Sequence, residues 1–321
     1  MVDILGHLQI EGSTVSKVSG GSDRFFSFIN HLYKDESAPI FEHNPFHILA
    51  YLAYAYELYT NENTGWSGVL GVKDHDLIVF TPNITTFSKF KEDIEKFSKN
   101  IFFDHIRIQN VSHEWVEKYR SLFPSNWEIL PRSKEEAVYD VNKLNELKGS
   151  DFANLRNTRS KLISGNILKF QSLTESNMPD LEALVDKWQV VQGFKYSKNK
   201  CEKEKYTCRI FSQLAQKYPE LIFVSIGYLE NIPVSYCILH KIENFPLWGV
   251  LYSVKGLNKI QDGGMRGVSD ATYCYCFEKS QKMGIKYLND GELGTEIGTR
   301  EHKLHFKPST FLKSFDVDIK N

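Results

Sequence analysis

The runs LIFVSIGY (residues 221–228), VSYCILH (234–240) and LWGVLYS (247–253), followed by QDGG (261–264) and IKYLN (285–289), decide the fold of this chain. The first three are dense in β-branched, aromatic and aliphatic residues, and the turn Leu229–Pro233 separates two of them, so they read as strands. The glycine-rich turn Gln261–Gly264 leads into a helix through Met283; Gly284 ends it, and Ile285–Asn289 returns to strand. Toward the N-terminus, Leu181, Leu184, Val185 and Trp188 recur at helical spacing, and Tyr206, Ile210, Phe211 and Leu214 mark a second helix that stops near Pro219. Toward the C-terminus, Phe311–Val317 reads as a last strand. Strands alternating with helices predict an α/β architecture.

The first half follows the same grammar. Trp66–Lys73 and Leu77–Thr81 read as strands around the turn Asp74-His75-Asp76. Thr85–Lys99 reads as a helix with Phe87, Phe90, Ile94 and Phe97 on one stripe, and His105–Gln109 as another strand. Ser112 caps a helix carrying Trp115, Tyr119 and Leu122. The aromatic segment Phe46–Tyr59 reads as a packed helix, and Trp127–Leu130 and Ala137–Val141 as weaker strands. The polar stretch Pro131–Glu136 marks the expected boundary between domains 1–135 and 136–321.

A chain of 321 residues suits two domains better than one. With 41% apolar and 25% charged residues it can bury a sizeable core. A net charge of −1 gives no general attraction to nucleic acid or anionic lipid, though it leaves room for a local basic patch. Met1-Val2-Asp3 lacks the basic start and apolar run of a secretory signal, and no stretch reaches the length of a membrane span. The five cysteines form no CxxC pair, which suits reduced thiols and a cytoplasmic location.

The order helix, helix, strand, hairpin strand, strand, glycine turn, helix, strand resembles the core of the acetyltransferase superfamily. The resemblance implies two tandem GNAT-like (acyl-CoA N-acyltransferase) units, each a mixed sheet flanked by helices. In that fold two central strands splay apart, and donor phosphates meet N–H groups at a helix N-terminus. Here the helix would begin just after Gly263 and Gly264, so these two are the expected donor-phosphate residues. A plain turn between strand and helix explains the glycines equally well.

Two segments carry a narrower resemblance. One runs from Tyr139 through Leu144, Leu147 and Gly149 to Arg156-Asn157. The other runs from Asn289-Asp290-Gly291-Glu292-Leu293-Gly294 to Gly298-Thr299-Arg300, Lys303, Phe306 and Pro308. Together they resemble the family named for the C-terminal domain of phosphatidylglycerol lysyltransferases, which is related to the aminoacyltransferases of peptidoglycan cross-bridges. Thr299 stands where that pattern usually has Leu. The lipid-modifying members also carry an Asp-x-x-Arg on the central strand, where this chain reads Leu251-Tyr252-Ser253-Val254-Lys255.

The resemblance implies transfer of an acyl or aminoacyl group, so acyl-CoA or aminoacyl-tRNA is the expected donor and no tightly bound cofactor is expected. The acceptor would be a small molecule or a lipid headgroup, with tRNA an alternative partner. Asp290 and Glu292 sit at a strand's C-terminal end, where α/β folds place ligands, and either carboxylate could take the proton of an attacking amine. They also fit a polar strand-end loop. Arg300 and Lys303 fall on one face of a helical turn and could clamp an anion; a solvated basic turn is the plainer reading. Tyr252 could protonate a leaving group, or simply half-bury its phenol in the sheet. Arg156, with Arg159 and Lys161, could touch donor phosphates or be surface charge. His302 and His305 have a ligand-like spacing, but no Cys or third His accompanies them, so no metal site is expected. Direct attack without a covalent intermediate is the expected chemistry, since no activated Ser or Cys is evident. The rival is a non-catalytic module that recognises tRNA or a nucleotide-bearing ligand.

Overall fold

The computed structural model describes residues 8–9, 12–18, 23–33, 45–99, 102–131, 135–192, 198–294 and 297–320. They fall into two compact units, Met1–Glu135 with Leu312–Asn321, and Glu136–Phe311.

The first unit contains β1 (Thr14–Lys17), α1 (Asp23–Leu32), α2 (Pro45–Ala50), β2 (Glu57–Glu62), β3 (Trp66–Lys73), β4 (Asp76–Ile84), α3 (Phe87–Ser98), β5 (His105–Ser112), α4 (His113–Tyr119) and β6 (Trp127–Pro131). Phe90, Ile94 and Phe97 bury the inner stripe of α3. Ser112 Oγ accepts the Trp115 N–H at 3.2 Å and starts α4. The aromatic segment after Phe46 is not one helix. A short turn at Tyr51–Tyr54 ends at Ala55 with φ 62°, and the chain enters β2, where Leu58 and Tyr59 are buried as strand residues.

The second unit contains β7 (Glu136–Asp140), α5 (Val141–Glu146), α6 (Ala153–Arg159), β8 (Leu168–Ser172), α7 (Met178–Gln192), α8 (Lys198–Lys217), β9 (Ile222–Leu229), β10 (Ile232–Lys241), β11 (Trp248–Gly256), α9 (Val268–Lys282), β12 (Tyr287–Glu292), α10 (Ile297–His305) and β13 (Thr310–Leu312). Strand β10 is buried from Val234 to His240, as a central strand covered on both faces must be. Tyr139, Cys237, Leu251, Phe277, Leu288 and Phe306 meet in the main core of this unit.

The chain's last strand, β14 (Ser314–Ile319), corrects the expected domain limits. It lies in the first sheet, whose order is β1-β2-β3-β4-β5-β14-β6, while the second runs β13-β7-β12-β11-β10-β9-β8. Val317 and Ile319 are buried with Ile108 and Trp127, so residues 312–321 belong with the first unit. The two orders are equivalent, and β14 holds in the first sheet the place that β7 holds in the second. Each sheet has a parallel pair bridged by a helix, β4·β5 through α3 and β11·β12 through α9.

Candidate active site

Strands β11 and β12 pair only at Trp248–Val250 against Tyr287–Asn289. Beyond that point a cleft of ≈ 460 Å³ opens between them, with Tyr252, Asp290, Tyr273, His302, Lys303 and Trp188 on its walls. Two β-bulges accompany the opening. Ile238 and Leu239 of β10 face Ser253 and Leu251, so Tyr252 is the extra residue on β11. Asn289 and Glu292 face Val138 and Glu136 of β7, so Asp290 and Gly291 oppose Ala137 alone. A bulge bends its strand and re-aims a side chain, here toward the cleft from both strands. Gly291 has φ 66°, and its N–H donates to Asn289 Oδ1 at 2.8 Å. Asn289 Nδ2 donates in turn to the buried Glu136 Oε2 at 2.8 Å, which ties the bulge to β7.

Asp290 is 6% exposed. The Tyr139 hydroxyl lies 3.1 Å from both Asp290 Oδ2 and the Lys303 carbonyl, and the Tyr273 hydroxyl donates to Asp290 Oδ2 at 3.0 Å. Burial raises the Asp290 carboxyl above its ordinary value, while Lys303, Tyr273, Tyr139 and His302 pull it back. Both phenols are pushed well up, first by burial and then by the adjacent carboxylate. The Lys303 ammonium sits 3.6 Å from Asp290 Oδ2, but its hydrogen bonds go to the carbonyls of Asp290 and, at 2.9 Å, Glu292. It therefore staples α10 to the end of β12 as well as facing the carboxylate. His302 Nδ1 lies 3.6 Å from Asp270 Oδ1, its ring meets Tyr273 edge-on at 5.1 Å, and burial lowers its pKa. Below the cleft, Ser253 Oγ donates to Glu204 Oε1 at 3.1 Å, and the buried Tyr236 hydroxyl donates to the same oxygen. Such a group can accept a proton at Asp290, offer a phenol at Tyr252 and hold a fixed positive charge at Lys303.

The equivalent gap in the first unit is nearly closed. Strands β4 and β5 pair from Asp76–Phe80 against His105–Gln109, and Thr81 Oγ1 then donates to the Asn110 carbonyl. Trp115 Nε1 donates to the Pro82 carbonyl at 3.0 Å and the Tyr119 hydroxyl to Ile84 at 3.1 Å. The residual cleft is ≈ 190 Å³.

The two equivalent units agree with the comparisons to known proteins. The family described as phosphatidylglycerol lysyltransferase, C-terminal, matches residues 42–307. The chain belongs to that family. A conserved protein of unknown function from Bacteroides thetaiotaomicron has a similar structure, with TM-score 0.74 and 13% identity over 96% of this chain and 100% of that one. L-PGS from Bacillus licheniformis is similar with TM-score 0.63 and 13% identity over 94% and 93%. A tandem GNAT protein from the clavulanic acid biosynthesis pathway is similar with TM-score 0.54 and 6% identity over 96% and 99%. No curated protein matches significantly. The architecture is therefore that of tandem GNAT-like units.

Within this lysyltransferase-family fold the expected site residues part company. Asp290, Lys303 and Tyr252 line the cleft together. Glu292 does not, and it is its backbone carbonyl that accepts from Lys303. Arg300 is exposed in the first turn of α10 and outside the cleft wall. Arg156 turns inward: its Nη1 donates to the carbonyls of Leu147 and, at 2.6 Å, Gly149. Leu147 (φ 48°) and Gly149 (φ 95°) end α5 in a left-handed turn whose carbonyls need donors, so Arg156 is a structural clamp rather than a donor contact. Gly263 and Gly264 also lie off the cleft wall, and α9 begins only at Val268. A Cβ on Gly264 would sit 1.8 Å from the Leu257 carbonyl oxygen, so glycine is required there by the loop's own backbone. Four amides here are already used: Gly263 donates to Ile260 O at 2.8 Å, Gly264 to Lys259 O at 3.0 Å, Met265 to Leu257 O at 3.1 Å, and Ser269 to Asn258 Oδ1 at 3.0 Å.

Sequence reading missed Tyr273, His302 and Glu204 as site residues. His302 adjoins Lys303 in the motif, which was a usable signal. Tyr273 and Glu204 sit on helices whose facing carries no local signature.

Proposed function

We propose that this chain transfers an acyl or aminoacyl group to an amine or hydroxyl by direct attack, with Asp290 as the base. The observation that carries this is a buried carboxylate on a bulge, held by two phenol hydroxyls and a lysine, at the wall of an open cleft. The acceptor nitrogen or oxygen would attack the donor carbonyl carbon and pass its proton to the Asp290 carboxylate. The donor's carbon–oxygen or carbon–sulfur bond would break, and the Tyr252 phenol would supply a proton to the departing atom. Backbone N–H groups of β11 beyond Val250, which have no partner on β12, would face the developing oxyanion. Lys303 would add fixed positive charge.

Between the two donors, the loop before α9 favours aminoacyl-tRNA. The amides of Gly263, Gly264, Met265 and Ser269 are taken by the chain's own acceptors, so these four offer little to the pyrophosphate of coenzyme A. The test is to supply the purified chain with radiolabelled aminoacyl-tRNA or acyl-CoA, together with amine, hydroxyl and phospholipid acceptors. Transfer from aminoacyl-tRNA that Asp290→Asn abolishes supports the reading. Donor binding without transfer to any acceptor would return the chain to the binding-module alternative.

A further inference from the structure

A base as deeply buried as Asp290 must lose the proton it takes before it can act again. Three of its neighbours offer no exit. The Lys303 ammonium has no lone pair, and burial beside a carboxylate pushes the Tyr139 and Tyr273 phenols well up, so neither gives its proton to solvent. His302 is different. It lines the same cleft on α10, and its ring meets Tyr273 edge-on at 5.1 Å and Phe306 at 5.2 Å. Its Nδ1 lies 3.6 Å from Asp270 Oδ1, and Asp270 stands one turn before Tyr273 on α9, so the two share a face. With Nδ1–H turned toward that carboxylate, Nε2 carries the lone pair. Nε2 is buried and has no hydrogen-bond partner among the described residues, which costs free energy. The charged and titratable groups around the ring are Asp270, Asp290, Tyr273, Lys303 and His305; burial lowers the His302 pKa against the pull of the two carboxylates, so the ring rests neutral. From the core outward the order is Asp290, the Tyr273 hydroxyl at 3.0 Å, the His302 ring, and Asp270, whose side chain is 27% exposed.

We propose that His302 carries the proton away from Asp290 after each transfer, with the Tyr273 hydroxyl as the bridge and Asp270 as the countercharge at the outer end. While Asp290 is ionised, Tyr273 gives its proton to the carboxylate, and Nε2 is left without a donor. Once Asp290 is protonated, its own O–H can donate to the Tyr273 oxygen, which frees the phenol proton to turn to Nε2. The Asp290 O–H bond then breaks as its proton passes to the phenol oxygen, and the phenol proton passes to the Nε2 lone pair. The products are a carboxylate, an intact phenol and an imidazolium whose charge faces Asp270. The imidazolium gives its Nδ1 proton to water or buffer at the cleft mouth, and the ring turns over to restore the starting tautomer. His302 acts through Asp290 without touching the substrate, so it is a positioning residue for the proton. The inference rests on Asp290 being the base.

The test compares first-turnover and steady-state rates of aminoacyl transfer by His302→Gln and wild type, in dilute buffer at neutral pH, with and without added imidazole. The first turnover starts with Asp290 ionised and should keep its rate. Steady-state turnover of the variant should fall about a hundredfold, the low end of what a proton-transferring group contributes, and imidazole should restore it. Steady-state turnover equal to wild type in dilute buffer would overturn the proposal. So would a loss that the first turnover shares and imidazole does not restore, which marks a packing role. Titration of the ring by NMR adds a check that needs no substrate. Asp270→Asn and Asp290→Asn each remove a negative neighbour, so each should lower the His302 midpoint. A midpoint that neither variant moves also contradicts the relay. Failure of the base assignment is read separately, as a wild-type first turnover in Asp290→Asn, and it would remove base and relay together.

Discussion

Tyr252 and Asp290 occupy β-bulges on neighbouring parallel strands and face one cleft. Neither residue would stand there in a regular ladder. The bulge at Tyr252 turns β11 away from β12 just after their last paired residues, Val250 and Asn289. The bulge at Asp290-Gly291 brings the carboxylate under Tyr139 and Tyr273. The same two distortions open the sheet and arm it.

Burial raises the Asp290 carboxyl, and after Lys303 the two phenols counter that rise. Tyr139→Phe and Tyr273→Phe each keep the ring and remove a hydroxyl that holds the Asp290 pKa down, so each should move the acidic limb of the pH–rate profile to higher pH. The stability sign follows from burial. The folded Asp290 binds its proton more tightly than the unfolded chain does, so stability falls as pH rises from the ordinary carboxylate value through the raised one. The variants should extend that fall to higher pH in denaturant titrations. An unmoved limb in both variants would show that Asp290 does not govern the rate.

Gly264 should be a folding position. Gly264→Ala forces a Cβ onto the Leu257 carbonyl, and overpacking of this kind costs about 1–3 kcal/mol or more. Thermal unfolding should show the loss, while the fraction still folded should bind donor normally. A variant of unchanged stability and weakened donor binding would restore the phosphate-loop role.

Arg156→Met should cost about 1.5–3 kcal/mol of stability, the range for hydrogen bonds made by a charged group, because the carbonyls of Leu147 and Gly149 lose their donor. Turnover of the folded variant should stay within a few-fold of wild type. Parallel denaturation and activity measurements separate the two, and a selective loss of turnover would contradict the structural assignment.

Much of this was legible because local pattern encodes it. The stripe Phe90, Ile94 and Phe97, the Ser112 cap and the central strand Val234–His240 follow from periodicity and capping chemistry. That Asp290 and Lys303 stand together at a strand end followed from a motif in that segment. What stayed hidden depends on partners distant in sequence. Strand β14 alternates like any strand, and nothing in it says that its partners are β5 and β6. Arg156 and Arg159 look like surface charge until their carbonyl partners at Leu147, Gly149 and Asn145 are in place. Gly264 matches a phosphate loop by composition, and only the approach of Leu257 shows which constraint it answers.

The central claim is that Asp290 takes the proton of the attacking group. The most direct measurement is the single-turnover rate of aminoacyl transfer by Asp290→Asn against wild type, with folding checked by thermal unfolding. Asparagine fills the same space and still accepts from Tyr139 and Tyr273, but it cannot take a proton at neutral pH. The expected result is a folded protein slowed by roughly a hundredfold to ten-thousandfold. A folded Asp290→Asn protein that transfers within a few-fold of the wild-type rate would contradict it.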